Sequence, residues 1–395
     1  NNCGKSQALR EIEMFFQESP ADKCIISQLM VETVGRVDDV FITSRLQYAE
    51  DGNYWLGNSG NSMKNWISVW DHKNWKMIHA LFVNRLDTEK RLTVSKSVKF
   101  PDFTLHTPSN PLYSVFESNK LEDTVSSLFH EAFGESLIVN RRAGGNISLH
   151  VGEKPLWEGQ REGEGKYYDS VKALPRLDLQ GDGMRSFASI LLDTFTSEYS
   201  ITLIDEPEAF LHPPQARILG KMLAKHNTKE RQVFIATHST DFINGLIDAD
   251  NDNVIVIHIN RDGNINHMNT LGSDKIKGLW DKPILRYSNI LNGLFHEKVI
   301  ICESEYDCLF YRAILDAIYE SDGQTAPDIM FTHCNGKGSL KFAVEALAAL
   351  KVPVVAIADF DILDQKKDIE SLVSAFGLPW SHISQDMQKI FDCFN

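Results

Sequence analysis

The most constraining feature of this chain is a short apolar segment that ends in two adjacent carboxylates. Ile201 to Ile204 form a run suited to a buried strand, and Asp205 and Glu206 follow directly. Because two charged groups at the end of a buried strand are unfavourable unless they bind something, they predict a site at a sheet edge. Upstream, Gly181 and Gly183 form a glycine turn whose backbone can approach a phosphate closely.

The start of the chain reads as the second half of a phosphate-binding loop. Residues 1–6 are Asn-Asn-Cys-Gly-Lys-Ser, so that Asn1 stands within the loop and Gly4 lets the backbone approach a phosphate. Lys5 can neutralise the β- and γ-phosphates, and Ser6 can place its hydroxyl on Mg²⁺. No glycine, strand or initiator methionine precedes Asn1. We therefore expect the N-terminal strand and part of the phosphate loop to be missing from the sequence.

In this order, the three segments resemble the Walker A, signature and Walker B motifs of ATP-binding-cassette ATPases. The resemblance implies that Asp205 holds Mg²⁺ through water and that Glu206 orients or deprotonates the attacking water. His238 follows the next predicted strand, 232–236, where this class has its switch histidine near the γ-phosphate. ATP would lie between Lys5 of one subunit and the glycine turn of its neighbour.

The glycine turn, residues 180–184, is called the signature turn below, and it departs from the usual Ser-Gly-Gly-Gln. Gln180 stands where the serine would bind the γ-phosphate, and Asp182 and Met184 also differ. The two glycines are retained. Arg185 follows the turn and can add positive charge next to a nucleotide. We expect Gly181, Gly183 and Arg185 to bind ATP from the neighbouring subunit.

A second group of carboxylates lies in the C-terminal part of the chain. Strands predicted at 298–302, 329–331 and 353–358 alternate with helices, which favours a parallel sheet, and Glu303 and Asp359 follow the first and third of these strands. Asp359 and Asp361 are two residues apart in an extended segment, so their side chains point to the same side. With Asp307, these acids predict an all-oxygen site for Mg²⁺ or Mn²⁺. Such a site can support phosphodiester cleavage.

This second arrangement resembles the Toprim domain of topoisomerases, primases and several nucleases. Ser304 departs from the Glu-Gly-x-x-Glu pattern of the nuclease variants, and Asp307 replaces its second acid. An ABC-type head followed by Toprim resembles the OLD (overcoming lysogenisation defect) family. The resemblance implies metal-dependent DNA cleavage, a homodimer through the ATPase heads and often a tetramer. Relatives act in anti-phage defence, with an accessory protein or a retron nucleic acid as candidate partners.

The predicted fold class is α/β, with an ABC-type ATPase domain over residues 1–285 and a parallel-sheet, Rossmann-like Toprim domain over 286–395. Strands are expected within 38–105, including 40–43 and 92–94, and an exposed loop or hairpin within 144–170. A helix is expected at 213–227. In the second domain, helix 306–319 is expected to bury one apolar face, and helix 339–350 to be capped by Ser339.

Composition limits the remaining possibilities. The chain of 395 residues is 43% hydrophobic and 24% charged, as in globular proteins, and no apolar run is long enough to span a membrane. Six cysteines without a paired framework fit a reduced, cytoplasmic setting. A net charge of −14 argues against general coating of nucleic acid. Two rivals stay open, a Toprim ribonuclease that cleaves tRNA and a repair or sensor ATPase with a non-catalytic Toprim domain.

Overall fold

A computed structural model describes most of the chain as two compact units, Gly4–Ala249 and Asp250–Asn395. The described residues are 4–17, 25–32, 46–48, 54–56, 62–63, 71–100, 110–142, 144–156, 161–196, 199–263, 265–272, 289–334 and 336–394. The domain boundary predicted at residue 285 lies outside them and stays a prediction. Among the described helices, none combines the length and the apolar character that crossing a bilayer requires.

The first unit mixes helices with three small sheets. Its helices are α1 (Lys5–Phe16), α2 (Trp75–Phe82), α3 (Thr88–Val94), α4 (Pro111–Glu117), α5 (Asn119–Phe133), α6 (Arg161–Ala173), α7 (Asp182–Thr196), α8 (Pro213–His226) and α9 (Thr240–Asp248). Its strands are β1 (Leu46–Tyr48), β2 (Tyr54–Leu56), β3 (Ser62–Met63), β4 (Val83–Leu86), β5 (Val98–Lys99), β6 (Ser136–Asn140), β7 (Asn146–Gly152), β8 (Ile201–Asp205) and β9 (Gln232–Ala236). The sheet formed by β1, β2 and β3 is antiparallel.

A parallel sheet in the order β4-β8-β9 carries the predicted carboxylate pair. Strand β8 is central and its middle residues are buried on both faces, as is typical of parallel sheets covered by helices. Leu9 and Ile12 of α1 pack with Leu203 on one face. Ile204 belongs to a larger core that includes Phe187 of α7. The site at the end of β8 therefore stands on a rigid base.

A second, antiparallel sheet has the order β5-β7-β6. Strand β6 is buried from Leu137 to Asn140, and its residues join the same large core as α5 and α7. Glu122 of α5 is buried beneath this sheet, where it accepts the Val139 backbone N–H at 2.9 Å and pairs with Arg141. These bonds connect helix α5 to strand β6 and the residues that follow it.

Helices α8 and α9 approach so closely that two glycines are required between them. A Cβ at Gly245 would lie 1.9 Å from the Arg217 carbonyl oxygen, and one at Gly220 would lie 2.3 Å from the Phe242 carbonyl oxygen. Gly245→Ala should lower the free energy of unfolding by about 1–3 kcal/mol, as overpacking does. Gly145→Ala is the control, because its Cβ would meet nothing within 4 Å. Denaturant unfolding measures both, and equal midpoints would contradict this packing.

The second unit contains a parallel sheet and a separate hairpin. Its strands are β10 (Val256–Asp262), β11 (Ile265–Leu271), β12 (Lys298–Cys302), β13 (Ile329–His333) and β14 (Val354–Ile357). Its helices are α10 (Glu305–Ser321), α11 (Lys337–Ala349), α12 (Lys366–Ala375) and α13 (Ser384–Phe394). The parallel sheet has the order β13-β12-β14, so the strand before Glu303 pairs directly with the strand before Asp359. Strands β10 and β11 pair antiparallel with each other.

Several sequence predictions of secondary structure are confirmed and two in the first unit are wrong. Helix α8 and strands β8 and β9 stand where the sequence places them. The exposed loop or hairpin predicted within 144–170 is wrong from residue 161 onward, because helix α6 runs there and buries Val171. Residues 92–94 are helical and not extended, since Asp87 caps α3 by accepting the Lys90 backbone N–H at 2.9 Å. The strand predicted at 40–43 lies outside the described residues.

In the second unit, the strands and helices are confirmed but three details are wrong. The segment after β14 is not extended, because Phe360–Asp364 form a 3₁₀ helix, so the strand alternation that would place Asp359 and Asp361 on one side does not apply. Ser339 is not the cap of α11, since the helix begins at Lys337 after Gly336, which has a φ of 112°. The predicted buried face of α10 is exposed, with Leu309 and Phe310 59% and 61% accessible. Cys308 is buried instead, because the helix turns its thiol toward Cys302 of β12.

Candidate functional site

The end of the phosphate loop forms the N-terminus of α1. Gly4 has a φ of 77°, which favours glycine, and its carbonyl accepts the Ala8 backbone N–H at 2.8 Å. Helix α1 then begins at Lys5, so the positive end of the helix dipole lies where a phosphate would bind. Asn1, also predicted to contact the nucleotide, lies outside the described residues.

Ser6 and Asp205 meet across a long sequence separation. The Ser6 hydroxyl donates to the Asp205 carboxylate at 2.7 Å, although 199 positions separate them in the chain. A hydroxyl and a carboxylate in contact at the end of a parallel strand are the two oxygen ligands expected for Mg²⁺ beside a nucleotide. The structure therefore brings together the residues that the first and third motifs assign to one site.

Glu206 stands on a strained turn directly after β8. Its φ is 48°, a conformation that non-glycine residues adopt only when their surroundings hold them there. Its backbone N–H donates to the Ala236 carbonyl at 2.8 Å, which ties the turn to the end of β9. The Glu206 carboxylate lies 3.1 Å from His238 Nε2. The glutamate and the histidine that the resemblance assigns to the ATPase site are thus neighbours.

Glu208 holds the loop that carries the histidine. Its carboxylate accepts the His238 backbone N–H at 2.7 Å and the Thr237 hydroxyl at 2.8 Å. Ser239 then caps α9 by accepting the Phe242 backbone N–H at 3.1 Å. The sequence prediction assigns no role to Glu208, although a third acid so close to Asp205 and Glu206 was an available signal.

Arg91 is the other residue that the sequence prediction does not include. It is 0% exposed and donates to the carbonyl oxygens of Asp205 at 2.5 Å and Glu206 at 3.0 Å. Burial lowers the pKa of Arg91, and the nearby carboxylates of Glu208, Asp205, Asp87 and Glu206 oppose that shift. Its flanking residues in α3 are mostly polar, so the sequence carries no signal that this arginine is buried.

The signature turn is divided between open and packed residues. Gly181 is exposed, and a Cβ there would meet nothing within 4 Å. A Cβ at Gly183 would lie 2.6 Å from the Phe210 carbonyl oxygen, so glycine is required for packing. Arg185 donates to the Asp182 carboxylate and to the Leu92 carbonyl, each at 2.8 Å. Its guanidinium thus lies in a local ion pair, whereas the sequence prediction directs it to a nucleotide.

The second group of carboxylates is partly assembled in the structure. Glu303 follows β12 and its carboxylate accepts the Asp359 backbone N–H at 3.0 Å. The parallel pairing of β12 with β14 brings these two ends together. Both residues lie at the carboxyl end of the parallel sheet, where the sequence predicts a site. Glu303 and Asp359 are therefore adjacent, as the sequence predicts.

Asp307 and Asp361 bind other groups in this structure. The Asp307 carboxylate accepts the Ser304 backbone N–H at 3.0 Å and the Ser304 hydroxyl at 2.7 Å, which closes a capping box on α10. The Asp361 carboxylate accepts Lys337 Nζ at 3.0 Å, and this bond raises the pKa of Lys337. Within the described parts of the chain, no three His, Cys, Asp or Glu residues form a ready-made metal cage.

Three cysteines lie beneath these acids as buried neutral groups. Cys302 and Cys334 are 0% exposed, and Cys308 is buried beside Cys302. Burial raises the pKa of Cys302 to about 12 and that of Cys334 to about 11. Because the thiols of Cys302 and Cys334 stay protonated at neutral pH, they pack as small apolar side chains and are poor candidates for metal ligands.

Two family models match this chain, and each covers one of the two groups of residues. Residues 160–244 match an AAA domain model described by the AbiEii toxin of Type IV TA systems. Residues 294–361 match the overcoming lysogenization defect protein-like TOPRIM domain. The first match contains the signature turn and the Asp205–Glu206 pair, and the second contains Glu303 and Asp359. The chain thus has an ATPase domain followed by an OLD-like TOPRIM domain.

Two named relatives agree with this domain pair. The chain is 24% identical over 309 residues to the Old nuclease of Escherichia phage P2, covering 73% of this chain and 50% of that protein. It is 24% identical over 224 residues to the OLD nuclease of Thermus scotoductus, covering 52% of this chain and 40% of that protein. The chain thus spans half or less of these relatives. An SmcHead structure bound to the C-winged helix domain of ScpA has a TM-score of 0.43 at 14% identity, covering 70% of this chain and 90% of that one.

Both domain models in this order, with the two relatives, support assignment to the OLD family of ATPase–TOPRIM proteins. The two domain types imply use of a nucleotide and of a divalent metal.

Proposed function

We propose that this chain, as a member of the OLD family, is an ATP-hydrolysing, metal-dependent endonuclease that cuts DNA and is gated by ATP. The observation that carries the proposal is that two separate strand ends each bring together residues that the motifs assign to one site. Ser6 meets Asp205 in the first unit, and Glu303 meets the backbone of Asp359 in the second. Defence against phage is the proposed setting.

In the ATPase half, the residues have distinct roles. Lys5 and the N-terminus of α1 bind the β- and γ-phosphates, and Ser6 and Asp205 hold Mg²⁺. Glu206 orients the attacking water, and His238, 3.1 Å from its carboxylate, senses the γ-phosphate. The exposed Gly181, with Gly183 and Arg185, faces ATP on a second copy of the chain, so the active form is a homodimer or a tetramer of such dimers.

In the nuclease half, Glu303 and Asp359 would hold Mg²⁺ or Mn²⁺. Asp307 and Asp361 would also do so if their bonds to Ser304 and Lys337 were broken. The metal supplies charge stabilisation at the phosphate and a more acidic water. The chain's own residues fix the geometry, since the Asp359 N–H holds the Glu303 carboxylate at the sheet edge. Because Asp359 and Asp361 are exposed and Glu303 and Asp307 are partly exposed, a nucleic-acid backbone can reach them.

The proposal is tested by incubating the full chain with Mg²⁺ or Mn²⁺ and plasmid DNA, linear DNA or tRNA, beside Asp359→Ala. Cutting of DNA that is lost in the variant is the expected result. Cutting of tRNA alone would show that the substrate is RNA and not DNA. If the nucleic acids stay intact while ATP is hydrolysed, the chain would be an ATPase whose TOPRIM domain only binds a partner.

The contact between Lys337 and Asp361 gives a separate prediction. Since the ammonium group competes with a metal ion for the same carboxylate, Lys337→Met should strengthen Mn²⁺ binding a few-fold, as expected for loss of an exposed ion pair. The measurement is free Mn²⁺ by electron paramagnetic resonance. Lys341→Met, one helical turn further along α11, is the control and should leave binding unchanged. Weaker binding in Lys337→Met would show that the lysine supports the metal site.

A further inference from the structure

The Arg91 guanidinium joins three separate elements, the strands β4 and β8 and the helix α7. Its Nη1 donates to the carbonyl oxygens of Leu86, at the end of β4, and Asp205, at the end of β8, at 3.2 and 2.5 Å. Its Nη2 donates to the Glu206 carbonyl at 3.0 Å. Its Nε donates to the Ser186 hydroxyl of α7 at 2.9 Å. One buried side chain therefore links the turn formed by Asp205 and Glu206, called the catalytic turn below, to helix α7, which begins in the signature turn.

The turn at Glu206 depends on such support. Its left-handed backbone, with a φ of 48°, is retained only where surrounding bonds hold it. The Ala236 carbonyl accepts the Glu206 N–H from one side, and Arg91 donates to the Glu206 carbonyl from the other. A displacement of the guanidinium would therefore move the peptide that aims the Glu206 carboxylate.

Helix α7 is well placed to move the guanidinium. Ser186 lies one turn after Gly183, is 0% exposed and bonds directly to Arg91. Gly183 packs against the Phe210 backbone, so no side chain separates the signature turn from the loop after Glu208. A shift of the signature turn would pass along one helical turn to Ser186 and Arg91.

We infer that Arg91 is a positioning residue that couples the signature turn to Glu206. Nucleotide bound at that turn sets the position of α7, and Ser186 and Arg91 transmit this position to the backbone of Asp205 and Glu206. Each ATPase site thereby responds to the nucleotide of the neighbouring subunit. The inference rests on the proposed ATPase and on its assembly through the signature turn.

Two buried serines of α7 provide a matched test. The Ser186 hydroxyl accepts from the Arg91 guanidinium, whereas the Ser189 hydroxyl donates to the Arg91 backbone carbonyl at 2.5 Å. Both are 0% exposed, so Ser186→Ala and Ser189→Ala remove one buried hydroxyl each. The measurements are kcat and KM for ATP, with the thermal midpoint of each variant. Arg91→Lys, which keeps the charge but loses the forked donors, is the third variant.

Ser186→Ala should lower kcat about tenfold with KM nearly unchanged, as for loss of a hydrogen bond to a charged group that acts on the reacting geometry. Ser189→Ala should lower the thermal midpoint similarly while keeping kcat, and Arg91→Lys should resemble Ser186→Ala. Equal kcat values for both serine variants would overturn the coupling. A wild-type chain without ATP turnover would instead contradict the proposed function.

Discussion

Glu206→Gln should reduce ATP hydrolysis at least about 100-fold, the loss typical of a removed general base, while ATP still binds. The amide is nearly the same size as the carboxylate but cannot take a proton from water. The Glu206 backbone keeps its bonds to Ala236 and Arg91, and the contact between Ser6 and Asp205 is untouched. Phosphate release measures turnover, and a fluorescent ATP analogue measures binding.

Glu131→Gln is the matched control, since Glu131 is exposed on α5 away from the strand ends that carry the carboxylates. It should retain wild-type turnover. If Glu206→Gln hydrolysed ATP as fast as this control, the assignment of Glu206 to the water-activating role would be wrong. If both binding and turnover were lost, Glu206 would act in holding the nucleotide.

The sequence predicts the sites best where polar groups follow buried strands. Strand β8 ends at Asp205 and is followed by Glu206, and His238 comes shortly after β9. In the same way, Glu303 follows β12 and Asp359 comes shortly after β14. Because parallel strands end at one edge of a sheet, the order of strands alone brings such residues together. The adjacency of Glu303 and Asp359 required only that β12 and β14 be neighbours, which the pairing confirms.

The sequence does not reveal which of several possible partners a charged side chain binds in the folded structure. Arg91 lies in a polar helix, yet it is buried because backbone carbonyls of the catalytic turn accept its donors. Asp307 was predicted to be a metal ligand, but Ser304 is near enough to complete a helix cap. Lys337 similarly pairs with Asp361. These pairings depend on distances in three dimensions, which the spacing of residues along the sequence does not determine.

Secondary structure was hardest to predict where local and tertiary signals disagree. Residues 161–165 contain two glycines and read as a loop, but α6 continues into a segment whose Val171 is buried. In α10, apolar periodicity indicated one buried face, whereas contact with β12 selects the face with Cys308. The periodicity of apolar residues identifies a helix but does not show which of its faces packs against the sheet.

Glu303→Gln should abolish phosphodiester cleavage, with a loss of at least about 100-fold, while ATP turnover continues. Glutamine keeps an oxygen that can accept the Asp359 N–H, so the strand ends remain together and only the negative charge is removed. A divalent ion is held chiefly by carboxylate charge, so the neutral amide should weaken it. Glu305→Gln, two residues later and exposed, is the control and should cleave as the wild type does.

The rate of nucleic-acid cleavage by Glu303→Gln relative to Glu305→Gln, measured with Mg²⁺ and ATP on the same substrate, tests the nuclease claim most directly. A ratio of about 0.01 or less is expected for removal of a metal-binding charge. Equal rates in the two variants would show that the acids at the end of β12 do not cut the phosphodiester backbone.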